Sequence, residues 1–136
     1  MSPKTIYEID GENFYDLEGF YDEVSRIIIP NAYWGRNLDA LNDILRGGFG
    51  TPYEGFKLIW KNSAISELAL GYKETVRQLE KRLEHCHPSN RVYVAEDLEQ
   101  AKAGQGETVF DWLVGLIRDH GTGGQQEGDG VELILQ

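Results

Sequence analysis

The sequence predicts an α/β fold, a small three-stranded parallel sheet covered by helices. Three observations carry that prediction. Short β-rich runs stand at "TIYEID", "FKLIWK" and "VELILQ". Stripes of apolar residues at helical spacing separate them. Turn residues (Asp-Gly, Pro, Gly-Gly) punctuate the joins. Strands that alternate with helices imply parallel crossovers. With 136 residues and no internal repeat, the chain reads as one domain over 1–136 with a single core.

The elements follow in order. "TIYEID" is β-branched and aromatic and ends at Asp10-Gly11. In "NFYDLEGFYDEVSRIII", Phe14, Leu17, Phe20 or Tyr21, Val24 and Ile27 or Ile28 recur at helical spacing. Asn13 is the expected N-cap and Pro30 the stop. A second helix runs from about Asn37 to Arg46 and ends at Gly47-Gly48. "FKLIWK" (56–61) reads as a buried strand. "AISELAL" is a short helix ended by Gly71. Tyr72, Val76, Leu79, Leu83 and Cys86 mark a longer amphipathic helix stopped by Pro88. "SNRVYVAEDLEQAKAG" alternates like a strand in its first half, yet Ser89 can cap a helix, and we read it as helix. Thr108 and Asp111 form a capping-box pair before "VFDWLVGLIRDH", whose stripe is Val109, Trp112 or Leu113, Leu116 and Ile117. "GTGGQQEGDG" (121–130) reads as a polar loop too flexible to pack. "VELILQ" is the last strand.

Composition narrows the function. Apolar residues make up 40% and charged residues 26%, as in an ordinary globular protein. No apolar window suits a membrane span, and the N-terminus lacks the pattern of a secretory signal. One cysteine, Cys86, allows no internal disulfide, and a cytoplasmic location is the economical reading. There are 23 acidic and 13 basic residues, a formal net charge of −10. That argues against nucleic acid and anionic membranes and fits a basic protein partner. Solubility alone explains the same charge equally well.

Several chemistries lack what they need. "HCHP" (85–88) places its ligands at helical positions that diverge, and no second cluster completes a metal site. "RGGFGTP" lacks the Lys-Ser/Thr of a phosphate loop and leads into a strand. It reads as a helix C-cap and turn, with Phe49 a small-cluster core residue or an exposed contact. Cys86 beside two histidines makes no nucleophile dyad. Asp39 and Asp43 on one exposed helix face lack the cleft that splits the pKa values of a catalytic carboxylate pair. We expect no enzyme activity and no cofactor.

The stretch "YWGRNLDALND" (33–43) remains to be explained. With Asn37 as N-cap, Leu38, Leu41 and Leu45 form the buried stripe, with Ala40 and Ile44 beside them. Asp39, Asn42, Asp43 and Arg46 then share the opposite face. Asp39 gains from the helix dipole. Asp43 gains little, and its repulsion with Asp39 costs roughly 0.2–0.5 kcal/mol. Either this is a solvated face with Asp43 paired to Arg46, or both acids await cations on another molecule.

"YWGRNLDALNDIL" resembles the signature of the barstar family, the intracellular inhibitors of barnase-type ribonucleases. Tyr33, Gly35, Asn37, Leu38, Asp39, Ala40, Leu41, Asp43 and Leu45 match its pattern. The flanking strands and helices agree, apart from extra sequence near 71–106. The resemblance implies a barstar-like α/β sheet fold. It implies that this helix and the loop before it plug a ribonuclease active site. Asp43 would be the central anchor and Asp39 the second acidic contact. Tyr33 and Trp34 would bring aromatic area. Gly35 would allow close approach, and Asn37 would cap the helix. Leu38, Asn42, Arg46 and Gly47 would complete the surface. Three departures stand out: Asn42 replaces a Trp, Arg46 replaces a small hydroxyl residue, and Leu116 falls where the family has an acidic contact. They point to a ribonuclease other than barnase, such as a toxin for which this chain is the immunity protein. The alternative is a module for a non-ribonuclease partner. Asp22, on the first helix, looks like an acid outside the motif.

Overall fold

A computed structural model describes residues 4–48, 50–121 and 123–136. Strands β1 (Thr5–Asp10), β2 (Phe56–Lys61) and β3 (Glu132–Leu135) form one sheet in the order β1-β2-β3. Both pairings are parallel, with Thr5 opposite Phe56 and Lys57 opposite Glu132. The helices are α1 (Leu17–Ile27), α2 (Leu38–Arg46), α3 (Ser63–Ala69), α4 (Tyr72–His85), α5 (Arg91–Lys102) and α6 (Val109–Arg118). The α/β class and the parallel three-stranded sheet match the sequence reading, and the ambiguous segment at 89–104 is helical at α5.

The sheet buries one face. Phe56, Leu58 and Trp60 of β2 lie in the core, while Lys57 and Ile59 are half-buried and Lys61 is exposed. A continuous apolar run predicts burial on both faces; the alternation of the pleat puts only every second residue inside. Trp60 is the hub. Phe14, Phe20 and Phe110 pack about it in tilted and edge-on contacts at 5.3–6.0 Å between ring centroids, and its indole N–H donates to Ser66 Oγ at 3.0 Å. Around this hub pack the apolar stripes of α1, α2 and α6.

The α1 cap differs from the expected one. Gly11–Asn13 form a 3-10 turn, and Asp16 caps α1 by accepting the Gly19 N–H at 2.7 Å. Asn13 instead donates its amide to Glu23 at 3.0 Å. Two residues with cap chemistry stand before the helix, and the 3-10 turn carries Asn13 away from its end.

Helices α4 and α5 form a hairpin with a small core of their own: Leu79, Val94, Leu98 and Ala101 are buried, and Val76, Leu83 and Cys86 pack against them. Trp112 of α6 touches both cores. Polar bonds tie the hairpin down. The Val109 N–H donates to Thr75 Oγ1 at 2.9 Å, and the Tyr72 hydroxyl donates to the Gly106 carbonyl at 2.8 Å. Glu74 is buried and accepts the Leu17 N–H at 2.9 Å, joining α4 to the start of α1. Burial works against its charge, but Arg77, Gln78 and the Leu17 N–H outweigh burial and hold its pKa below the ordinary value. Glu18 is treated alike: burial opposes its charge, yet Arg77, Gln78 and Lys81 hold it down to about 2.

These carboxylates should make the fold acid-labile. Carboxyl pKa values depressed in the fold mean that the unfolded chain binds more protons just below the ordinary value of 4.5. Their contribution to stability should be fully present above that pH and fall as the pH drops toward about 2, where Glu18 protonates in the fold. Glu74→Gln should cost about 1–3 kcal/mol at neutral pH, since it weakens bonds to a buried acceptor. It should also flatten the fall. Urea midpoints between pH 7 and pH 3 measure both, and equal slopes for the two proteins would refute the assignment.

Candidate functional site

The motif loop is anchored before α2 begins. Trp34 is buried at 8% exposure; its indole N–H donates to Ser25 Oγ at 2.7 Å and its ring meets Tyr21 edge-on at 5.5 Å. Tyr33, one residue earlier, is 88% exposed. The pair of aromatics thus divides its labour: Trp34 fastens the loop to α1 and Tyr33 faces solvent. Gly35 (φ +85°) and Arg36 (φ +54°) turn the chain through the left-handed region, which glycine adopts without strain. Arg36 is held there by an ion pair with Asp22 of α1. Asp22 is therefore part of the loop's support rather than a plain surface acid.

Asn37 caps α2 as expected. Its side-chain oxygen accepts the Ala40 N–H at 2.8 Å, and its amide donates to the Gly35 carbonyl at 3.3 Å. Leu41, Ile44 and Leu45 are buried, and Leu38 and Ala40 are half-buried. At the far end Gly47 (φ +91°) is buried; a Cβ there would sit 2.6 Å from the Pro52 carbonyl oxygen. Thr51 Oγ1 donates to the Ile44 carbonyl at 2.8 Å and closes the helix end. Trp34 and Gly47 thus support the surface from beneath and offer little of it. Phe49 lies outside the described residues.

The outward face of α2 is split. Asp39 and Asp43 are exposed, and neither has an ion-pair partner among the described residues. Asn42 and Arg46 turn sideways instead. Asn42 Oδ1 lies 2.8 Å from His120 Nε2, and Arg46 Nε donates to Gln126 Oε1 at 3.0 Å. The Asp43–Arg46 pair of the solvated-face alternative is absent among the described ion pairs.

The partner of that sideways contact is the loop after α6. Contrary to the expectation of a loop too flexible to pack, it folds against the body of the protein. The Gln126 N–H donates to the Asp119 carbonyl at 2.7 Å, and Glu127–Asp129 form a 3-10 turn. Asp129 Oδ2 sits 2.6 Å from His120 Nδ1, and His120 is fully buried. Its glycines allow the tight turns, and its few polar side chains supply the bonds that hold it. Leu116, at a position of acidic contact in the resemblance, packs half-buried against the core.

Two residues of this region were not singled out from the sequence. His120 sits at the end of a helical stripe among unremarkable neighbours. Tyr53 is 77% exposed and lies over Gly48, just past α2. With Tyr33 it brackets α2 by exposed aromatic rings at both ends. An aromatic in the turn-rich "TPYEG" was the available hint.

The arrangement offers two exposed carboxylates, without ion-pair partners among the described residues, on a capped helix flanked by exposed aromatic rings. Among the described residues no group of three His, Cys, Asp or Glu side chains could hold a metal ion. His85 and His87 of the "HCHP" stretch are exposed and Cys86 is half-buried. No described helix is long and apolar enough to cross a membrane.

Comparison with known proteins settles the family. The profile described as "Barstar (barnase inhibitor)" matches residues 5–93. The chain belongs to the barstar family. The barstar match runs from β1 through α4 and stops inside α5. A protein of Bacillus subtilis (strain 168) named "Putative ribonuclease inhibitor YrdF" is 38% identical over 63 residues, 46% of this chain and 66% of that relative. The chain thus spans just under two thirds of that relative's length.

Proposed function

We propose that this barstar-family chain is a non-enzymatic inhibitor of a basic ribonuclease, which it blocks with α2 and the loop before it. Asp43 is the central anchor and Asp39 the second acidic contact. Tyr33 supplies aromatic area, Gly35 close approach and Asn37 the capped start of the helix. The single observation that carries this reading is the exposed pair Asp39 and Asp43, without ion-pair partners among the described residues, on a helix whose neighbouring Asn42 and Arg46 are held within the chain. Two like charges on one face are disfavoured in isolation, and cations on a partner relieve that cost. Family membership supports the ribonuclease as that partner. A cytoplasmic setting and an immunity role against a toxin fit the same reading.

Asn42 and Arg46, two of the departures from the family pattern, contact His120 and Gln126 within the chain, which supports reading them as bracing of α2 rather than as contacts to a different class of partner.

The test is an RNA-cleavage assay in which purified barnase-type ribonucleases are titrated with the chain. Stoichiometric inhibition of at least one supports the proposal, and full activity of all at micromolar inhibitor refutes it. Association should also be steered. A chain of net charge −10 meeting a basic enzyme should bind fast at low salt and more slowly as salt rises. Stopped-flow association rates that stay flat between low and physiological salt would exclude steering.

A further inference from the structure

The N-terminus of α2 does not stand on an open surface. A cleft of about 560 Å³ separates it from α4, with Arg36, Asn37 and Asp39 on one side and Gln78, Lys81 and Arg82 on the other. The cleft therefore continues the α2 surface onto the α4–α5 hairpin.

Its charges are unequal in what they already bind. Arg36 is paired with Asp22, and Lys81 with Glu18 at 3.3 Å. The nearby Arg77 is held by Glu18 and Glu74. Arg82 is exposed and has no carboxylate among the described residues; its guanidinium lies 5.1 Å from the centroid of the Trp112 ring. Contact with an aromatic face orients a guanidinium while leaving N–H groups at its edge able to donate. Arg82 is thus a pre-positioned cation whose guanidinium edge makes no hydrogen bond among the described residues, in a chain whose net charge is −10.

We propose that the cleft between α2 and α4 is the second half of the docking surface, and that it seats a carboxylate-bearing loop of the same partner protein on Arg82. This rests on the reading of α2 as the ribonuclease-facing helix. Its consequence is selectivity. A uniformly basic active-site rim meets repulsion at Arg82. A ribonuclease with an acidic side chain flanking its basic centre meets a complementary pair. The hairpin then chooses among ribonucleases, while Asp43 and Asp39 engage what they share.

The experiment measures association and dissociation rates for a panel of purified barnase-type ribonucleases. The chains are wild type, Asp43→Ala, Arg82→Ala, Arg82→Glu and Lys102→Glu. Lys102 is an exposed cation of α5 outside the cleft. With the ribonuclease bound most tightly, Arg82→Ala should dissociate about three- to tenfold faster and Arg82→Glu at least about tenfold faster. Lys102→Glu should leave dissociation unchanged. Long-range steering predicts the opposite sign, because Arg82→Glu makes the inhibitor more acidic and should favour a basic enzyme. Unchanged or tighter binding of Arg82→Glu, with Asp43→Ala still weakened, overturns the cleft proposal and leaves the inhibitor reading standing. A wild-type chain that binds none of the ribonucleases overturns both. Thermal unfolding confirms that each variant is folded, and an Asp or Glu to Lys reversal on the partner loop should restore binding of Arg82→Glu.

Discussion

Asp43→Ala should weaken binding to the partner ribonuclease by about 2–5 kcal/mol, roughly 30- to 5,000-fold in affinity. That range is the general cost of truncating one partner of a buried, hydrogen-bonded charge pair at an interface, for which barnase–barstar is a worked example. Stability should move by no more than about 0.5 kcal/mol. The asymmetry has a simple origin. Asp43 is exposed in the free chain and has no ion-pair partner among the described residues, so the fold loses little. In the proposed complex its removal strands cations that docking has stripped of water. Asp39→Ala should follow with a smaller loss, because in the proposed complex Asp39 lies nearer the edge of the contact. A control acid must be exposed and outside the loop's support. Glu96, an exposed residue of α5, meets that need, whereas Asp22 does not, because it holds Arg36. Calorimetric titration of the three alanine variants tests this. Equal losses for Asp43 and Glu96 would reduce the helix to a solvated face.

His120→Ala should unfold at lower denaturant, with a stability loss of about 2–4 kcal/mol. The fully buried imidazole bridges Asp129 and Asn42, at 2.6 and 2.8 Å. Its removal opens a cavity and leaves two polar side chains without their partner. The effect should reach the binding surface as well, because the bridge ties the outward edge of α2 to the loop after α6. Arg46 and Gln126 make the second tie. Binding should weaken by a few-fold through loosened positioning, well short of the loss at Asp43. Asn42→Ala removes one end of the bridge only and should cost about 1 kcal/mol of stability. Urea unfolding of both variants measures the first effect, and titration against the ribonuclease the second. A His120→Ala protein as stable as wild type would show that the bridge contributes nothing to the fold.

Local chemistry made much of the protein legible. The strands at Thr5–Asp10, Phe56–Lys61 and Glu132–Leu135, the Asn37 cap of α2 and the Thr108–Asp111 capping box of α6 all stand where neighbouring residues put them. Helical period also placed Leu41, Ile44 and Leu45 inside and Asp39 and Asp43 outside. These features depend on residues within about one turn of each other, so the sequence contains them.

Contacts between distant segments were beyond that reach. No local rule says which of two adjacent aromatics, Tyr33 or Trp34, finds Ser25 and Tyr21 on α1. Asn42 and His120 are 78 residues apart and Arg46 and Gln126 are 80 apart, so the turning aside of α2's outer edge is visible only in the folded chain. The same holds for Asp22 beneath Arg36 and for Arg82 across the cleft from Asp39. Fold class, family motif and the pair of outward acids could all be read from the chain itself, because period and capping are local. Which neighbours of those acids are free to meet a partner could be read only after folding, because burial and long-range hydrogen bonds are set by packing.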